Sequence, residues 1–329
     1  MGNGEKKFIL LYEKEKGKID DLLKNAFKGR KPLTLYNPGA YILNSKGKRL
    51  RPLLVLLSSR AVGGNFDQVY NAALAVEMLH NFTLVHDDII DNAEKRRGRM
   101  TLHKKYDMNT AILTGDILLA VAYEFLLKDC NGNAKSVMNS FTKGLMEVCE
   151  GQSMDTDFES KHKVSINEYI LMIKKKTAAM AEMCCRIGAI LGGGTKREIE
   201  ALSNYGLNLG IAFQIQDDLL DITADENIFG KSIGGDLVEG KKTYLFIRAL
   251  EISAGDDRKR MQNVILKNGV RWNQVKLYKE LYVRLGVLED AKNKIKYYSD
   301  KALNSLADIK ETDREIFFWL TDQLIKRTR

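Results

Sequence analysis

Proline is nearly missing from this chain. Only Pro32, Pro38 and Pro52 occur in 329 residues, so nothing after position 52 carries the strongest internal breaker of a helix. Cysteine is scarce too. Cys130, Cys149, Cys184 and Cys185 show no zinc spacing, and because most lie in apolar helical patterns they read as buried reduced thiols. No uninterrupted apolar run reaches the roughly 20 residues that span a bilayer. The start MGNGEKKF has no apolar signal segment, and Lys6 stands where a myristoylation signal needs Ser or Thr. The ending IKRTR has no prenylation cysteine, and these basic residues could close over a site or form a solvated tail. The expectation is a soluble cytoplasmic protein with no stable membrane insertion.

What is present is helical periodicity and positive charge. Apolar residues recur at helical spacing over 5–28, 50–62, 66–91, 109–129, 134–157, 166–192, 199–220, 241–253, 257–268, 271–285, 288–307 and 312–327. Turn signals separate these stretches: GG at 63–64, NGN at 131–133, GGG at 192–194 and GKSIGG at 230–235. No Pro/Ser-rich linker divides the chain. The pattern predicts a single all-α domain over residues 1–329, because helices this apolar must bury one another's faces. The net charge of +9 admits nucleic acid, an anionic surface or polyanionic substrates, and only the placement of the basic residues discriminates among them.

The stretch LVHDDIID, residues 84–91, carries Asp87, Asp88 and Asp91, and FQIQDDLLD, 213–221, carries Asp217, Asp218 and Asp221. Like charges at i,i+4 destabilise a helix by about 0.2–0.5 kcal/mol per pair. A solvated helix end would explain one such motif; two copies after apolar helical stretches need another cause. Stepping back by helical turns from Asp87 reaches His80 and Glu77, and from Asp217 reaches Phe213, Gly210 and Gly206. Carboxylates continuing a buried stripe need compensating cations. Mg²⁺ is the natural one, since it takes one or two carboxylates and completes its shell with water and phosphate. Two such helices facing each other would form a bed for Mg²⁺ and a polyphosphate. The basic residues agree: Lys48, Arg49 and Arg51 in SKGKRLRP, Arg96 and Arg97, Lys176, Lys231 and Lys241. Guanidinium forks and ammonium groups are suited to phosphate oxygens.

In order along the chain stand GKRLRP (47–52), EMLH (77–80), DDIID with RRG (96–98), GD (115–116), GQSMD (151–155), KT (176–177), FQIQDDLLD, GK (230–231) and GDLVEGKKT (235–243). This series resembles the trans-isoprenyl (polyprenyl) diphosphate synthases, most closely those of archaeal geranylgeranyl type. One departure is Ser45–Lys46 before Gly47, where a second glycine is common. The resemblance implies the isoprenoid synthase fold, a helical bundle around a deep central cavity, usually as a homodimer. It implies that Asp87, Asp91 and Asp217 ligate three Mg²⁺ gripping an allylic diphosphate, with Asp88, Asp218 and Asp221 completing or supporting those clusters. Arg96, Lys176, Lys231 and Lys241 would contact that diphosphate; Lys48, Arg51, His80 and Arg97 would hold isopentenyl diphosphate. Thr177 and Gln214 would line the reacting region, and Gln152 and Asp155 would help order the metal shell.

The implied reaction is a head-to-tail (1'-4) condensation of isopentenyl diphosphate with dimethylallyl, geranyl or farnesyl diphosphate. Phe82 lies five residues before Asp87, roughly 7 Å along a helix axis. In the family, bulk four or five positions before the first motif forms the floor that stops the growing chain. With Phe82 large, Thr83 small and the motif unexpanded, a C20 product is expected; a C15 or a longer product is the alternative. Terpene cyclases pair one such motif with a different metal motif, and squalene-type enzymes lack this second form. A non-catalytic subunit of a heteromeric synthase should have lost aspartates or cations, and a nucleic-acid binder would not need paired aspartates.

Overall fold

Because apolar residues repeat at about 3.6 positions almost throughout, nearly all regular structure is helical. The computed structural model describes residues 3–224 and 233–325. In chain order the helices are α1 (Asn3–Asn25), α2 (Leu33–Leu43), α3 (Leu50–Ala61), α4 (Tyr70–Ile90), α5 (Leu102–Lys105), α6 (Met108–Lys128), α7 (Ala134–Ser160) and α8 (Ile166–Ile173). A π turn, Lys174–Ala178, leads to α9 (Ala179–Leu191) and α10 (Lys196–Thr223). Then follow α11 (Gly235–Val238), α12 (Tyr244–Ile252), α13 (Gly255–Leu266), α14 (Val275–Arg284), α15 (Val287–Ser305) and α16 (Glu311–Ile325). Among the described residues the sheet is one hairpin of two-residue strands, β1 (Lys95–Arg96) and β2 (Arg99–Met100).

Two compact units result. One comprises the chain to Thr142 with Met183–Ser203 and Asp308–Asp313; the other comprises Lys143–Glu182, Asn204–Ala307 and the chain from Arg314. In the first, α4 lies against α3 and α6, and Val76, Met78, Leu79, Ala111, Leu118 and Ala122 are fully buried. In the second, Tyr169, Ile215, Leu245, Phe246, Met261 and Tyr282 belong to one continuous core.

Three differences from the sequence expectation have local causes. Helix α2 was not expected, because Pro38 lies inside it; burial of Pro38, Gly39 and Leu43 outweighs the lost backbone donor. The stretch 166–192 is not one helix but is interrupted by the π turn. Helix α6 is long and apolar enough, by length and composition, to cross a membrane; a search for uninterrupted runs misses it because Asp116 and Glu124 break the sequence. In the first unit it serves as a core helix whose Glu124 pairs with Arg30 at 2.8 Å. Cys184 and Cys185 are buried as expected, whereas Cys149 is exposed.

Candidate active site

The first aspartate motif occupies the end of α4. Asp87 is half-buried in the last turn, Asp88 is buried, and Asp91 is the exposed C-cap, its amide donating to the Asp87 carbonyl at 2.8 Å. A helix C-terminus carries about half a negative charge, so carboxylates here repel one another and the negative pole of the helix. The second motif repeats the placement near the end of α10, with Asp217 and Asp221 half-buried and Asp218 buried. Helical periodicity made both motifs legible, and the helical stretches 66–91 and 199–220 already ended on them.

Asp88 is held by an arginine. Its Oδ1 accepts from Arg96 Nε at 2.6 Å, and burial holds the Asp88 carboxyl above the usual range despite Arg96. Arg96 stands on β1 and Arg97 at the hairpin tip, where Arg97 and Gly98 both have positive φ, 52° and 75°. Two successive left-handed residues are the mark of the tight hairpin turn that matches strand twist. The RRG triplet therefore turns one arginine onto Asp88 and exposes the next. The hairpin, α2 and α4 wall a small, mostly apolar cleft lined by Tyr41, Ile42, Leu84 and Val85, with Arg96 and Arg97 among its polar members.

His80, buried two helical turns before Asp87, accepts at Nε2 from Arg51 Nη1 at 3.2 Å, since a guanidinium can only donate. Burial first, then the positive field of Arg51, Arg97, Arg96 and Arg49, pushes the His80 imidazole well below its ordinary pKa. It is neutral and orients Arg51. Lys48 is exposed, and its carbonyl accepts from the Tyr12 hydroxyl. Arg49 is no phosphate ligand: it is buried between Asp20 and Glu77. Neutral His80 has a measurable signature. The unfolded histidine binds a proton below about pH 6.5 while the folded one does not, so acid favours unfolding. Relative to His80→Gln, wild type should lose stability progressively as the pH falls from 7.5 to 5.5. A difference independent of pH in urea melts would refute the assignment.

The floor residues lie between His80 and the aspartates, five and four residues before Asp87. Phe82 packs edge-on against His86 with ring centroids 4.6 Å apart, and Gly115 of α6 lies close enough to that imidazole that a Cβ there would come within 2.3 Å of Nε2. Thr83 folds its hydroxyl onto the His80 carbonyl at 2.8 Å.

In the second unit the π turn places Lys176 and Thr177. A Cβ at Gly151 would come within 2.2 Å of the Lys176 amide nitrogen, and one at Gly210 within 2.5 Å of Ala178 Cα. These two glycines, in GQSMD and in the stripe behind Asp217, let α7 and α10 close on the widened turn. Lys176 Nζ donates to Asp155, Thr177 Oγ1 to Gln214 Oε1 at 2.8 Å, and Gln214 Nε2 to Asp218 Oδ1 at 3.1 Å. Lys241 pairs with Glu239 at 2.7 Å and stands 3.8 Å from Asp236. Lys231 and the tail from Lys326 lie outside the described residues. Asp236, Tyr169 and Tyr244 were not singled out in the sequence. Asp236 had a signal, a carboxylate between glycine and the lysines of GDLVEGKKT; the two tyrosines are ordinary core positions.

The donor set suits a hard divalent cation. Burial first, and then the neighbouring Asp236, raise Asp218 to about 7 and Asp221 to about 6; of the two only Asp221 is half-exposed, and there a cation would relieve the repulsion from Asp236. Gln152 Oε1 is buried with no hydrogen-bond partner, one turn before Asp155. Among the described residues no three His, Cys, Asp or Glu side chains converge to hold an ion by themselves. A cation here would therefore complete its shell with water and substrate oxygens, as Mg²⁺ does.

Comparison with known proteins gives a consistent answer. The family model described as polyprenyl synthetase matches residues 32–282. A geranylgeranyl diphosphate synthase of Methanosarcina mazei is 45% identical over 235 residues, 71% of this chain and 71% of that protein. The crystal structure of geranylgeranyl pyrophosphate synthetase from Pyrococcus horikoshii matches with TM-score 0.90 and 34% identity, covering 99% of this chain and 100% of that one. A polyprenyl synthase from Caulobacter crescentus, complexed with calcium and isoprenyl diphosphate, matches with TM-score 0.89 and 28% identity over 99% and 98% of the two chains.

Proposed function

The chain belongs to the polyprenyl synthetase family, and from that premise we propose that it is a prenyltransferase that condenses isopentenyl diphosphate with allylic diphosphates to make geranylgeranyl diphosphate. The observation that carries this reading is the repeated aspartate motif towards the C-terminal ends of α4 and α10, with Asp87, Asp217 and Asp221 half-buried beside buried Asp88 and Asp218. The family uses a divalent metal. We assign it as Mg²⁺, three per site, to Asp87, Asp91 and Asp217, with Asp221, Gln152 and Asp155 supporting the shell. Bound there, it would neutralise the charge that grows on the departing diphosphate.

The chain's own groups do the rest. Arg51, oriented by neutral His80, together with Lys48 and Arg97 holds isopentenyl diphosphate; Lys176 and Lys241 hold the allylic diphosphate with Arg96 and Lys231. Holding the two substrates side by side makes attack of the double bond on the allylic cation effectively unimolecular. The apolar helices exclude water, which would quench the cation to an alcohol. The released proton goes to the departing diphosphate. The same proposal takes the whole chain as one synthase domain acting as a cytoplasmic homodimer, and the exposed Ile112 and Leu113 of α6 support self-association.

The test is direct: purified protein, Mg²⁺, labelled isopentenyl diphosphate and each allylic primer in turn, with products sized by chromatography. C20 diphosphate is expected, and no condensation with any primer would reject the reading. Phe82 supplies a second measurement. Removing its ring opens the space beside His86, so Phe82→Ala should shift the main product to C25 or longer. An unchanged product distribution would sink the floor assignment.

A further inference from the structure

Asp218 is the second aspartate of its motif, yet its surroundings are not those of a metal ligand. It is 5% exposed, and both carboxylate oxygens are engaged by protein donors. The Tyr169 hydroxyl donates to Oδ2 at 2.6 Å and the Tyr244 backbone amide donates to the same oxygen at 2.9 Å. Oδ1 accepts from Gln214 Nε2 at 3.1 Å. Tyr169 comes from α8, Tyr244 from the first residue of α12, and Gln214 from one turn earlier on α10.

A carboxamide has a donor end and an acceptor end, so anchoring one decides the other. With Nε2 on Asp218, Gln214 turns Oε1 to Thr177, whose hydroxyl donates to it at 2.8 Å. The Thr177 proton is thereby drawn into the protein, and its lone pairs are left for whatever lies beyond. The Thr177 hydroxyl proton and one N–H of the Gln214 amide are directed along the network. A cationic centre beside them meets oxygen.

We infer that Tyr169 and Asp218 are positioning residues: they fix the polarity of the Gln214 amide, and through it the Thr177 hydroxyl, so that these two side chains present oxygen to the developing allylic cation. This rests on the prenyltransferase reading above. It separates Asp218 from Asp217, which we assign to magnesium, although the two are adjacent in sequence.

The assignment is testable by reversing the polarity and restoring it. Asp218→Asn has one acceptor and one donor, and the two donors from Tyr169 and Tyr244 claim its oxygen. The new NH₂ then faces Gln214, reverses that amide and presents an N–H to Thr177. We expect kcat to fall about a hundredfold, with both KM values and the Mg²⁺ half-saturation within about threefold of wild type. Adding Gln214→Glu gives position 214 two acceptors, one for the Asn NH₂ and one for Thr177, so Asp218→Asn/Gln214→Glu should recover about tenfold in kcat over Asp218→Asn. Gln214→Glu alone opposes two carboxylates and should be worse than wild type. Tyr169→Phe removes one donor at constant shape; it should lower kcat about fivefold with KM and Mg²⁺ dependence unchanged, and it decides the matter if the buried Asp218→Asn does not fold. Absence of rescue with a raised Mg²⁺ requirement, or Tyr169→Phe with wild-type kcat, would overturn the inference. Wild-type condensation in the same assay separates the two levels: without it the functional reading falls and takes this inference with it, whereas with it a failed rescue overturns this inference alone.

Discussion

Asp87→Ala and Asp217→Ala should each lower kcat by about three orders of magnitude, while far-UV circular dichroism stays that of the wild type. The size follows from what a metal clamp supplies: several kcal/mol of transition-state charge stabilisation, with each ~1.4 kcal/mol worth a factor of ten. The intact fold follows from placement. Both residues are half-buried in the closing turns of their helices and neither belongs to a core cluster. Near-normal turnover in either variant would show that the magnesium assignment is wrong. A loss of turnover accompanied by loss of helix would show that the carboxylate is structural.

Arg49→Ala should cost about 3–5 kcal/mol of stability, a loss far larger than any surface ion pair would give. Arg49 is 4% exposed, in left-handed backbone at φ 49°, and Nη1 donates to the buried Glu77 at 2.6 Å while Nε donates to Asp20 at 2.8 Å. Truncation leaves Glu77 as an uncompensated buried charge, and that penalty, rather than the worth of the pair, sets the magnitude. Arg49 Nη2 also donates to the Leu43 and Ser45 carbonyls at 3.0 and 2.6 Å, so the guanidinium fixes the segment that carries Lys48 and leads to Arg51. The variant should therefore also raise KM for isopentenyl diphosphate more than for the allylic primer. Urea melts give the stability, and a change below about 1 kcal/mol would mean that water reaches Glu77. Removing both charges, as in Arg49→Met/Glu77→Leu, should recover much of the loss, because well-packed apolar side chains can replace a buried pair.

The sequence by itself determined the all-helical architecture, the two aspartate motifs and the kinds of residue around them. Helical periodicity is written in nearest turns, and a carboxylate pair at i,i+4 announces its own electrostatic cost, so neither depends on knowing what packs where. The sequence did not distinguish among the aspartates or the arginines, which look alike on paper. Only tertiary structure buried Asp88 against Arg96 and Asp218 against Tyr169, and left Asp87 and Asp217 half-exposed. Only it showed that Arg49 is a structural ion while its near neighbour Arg51 reaches His80. Helix α2 and the π turn were missed for the same reason: what stabilises Pro38 inside a helix, or a widened turn against Gly151, is contact with residues distant in sequence. The side-chain types declare which chemistry is available, and burial together with hydrogen-bond partners decides which copy of each type performs it.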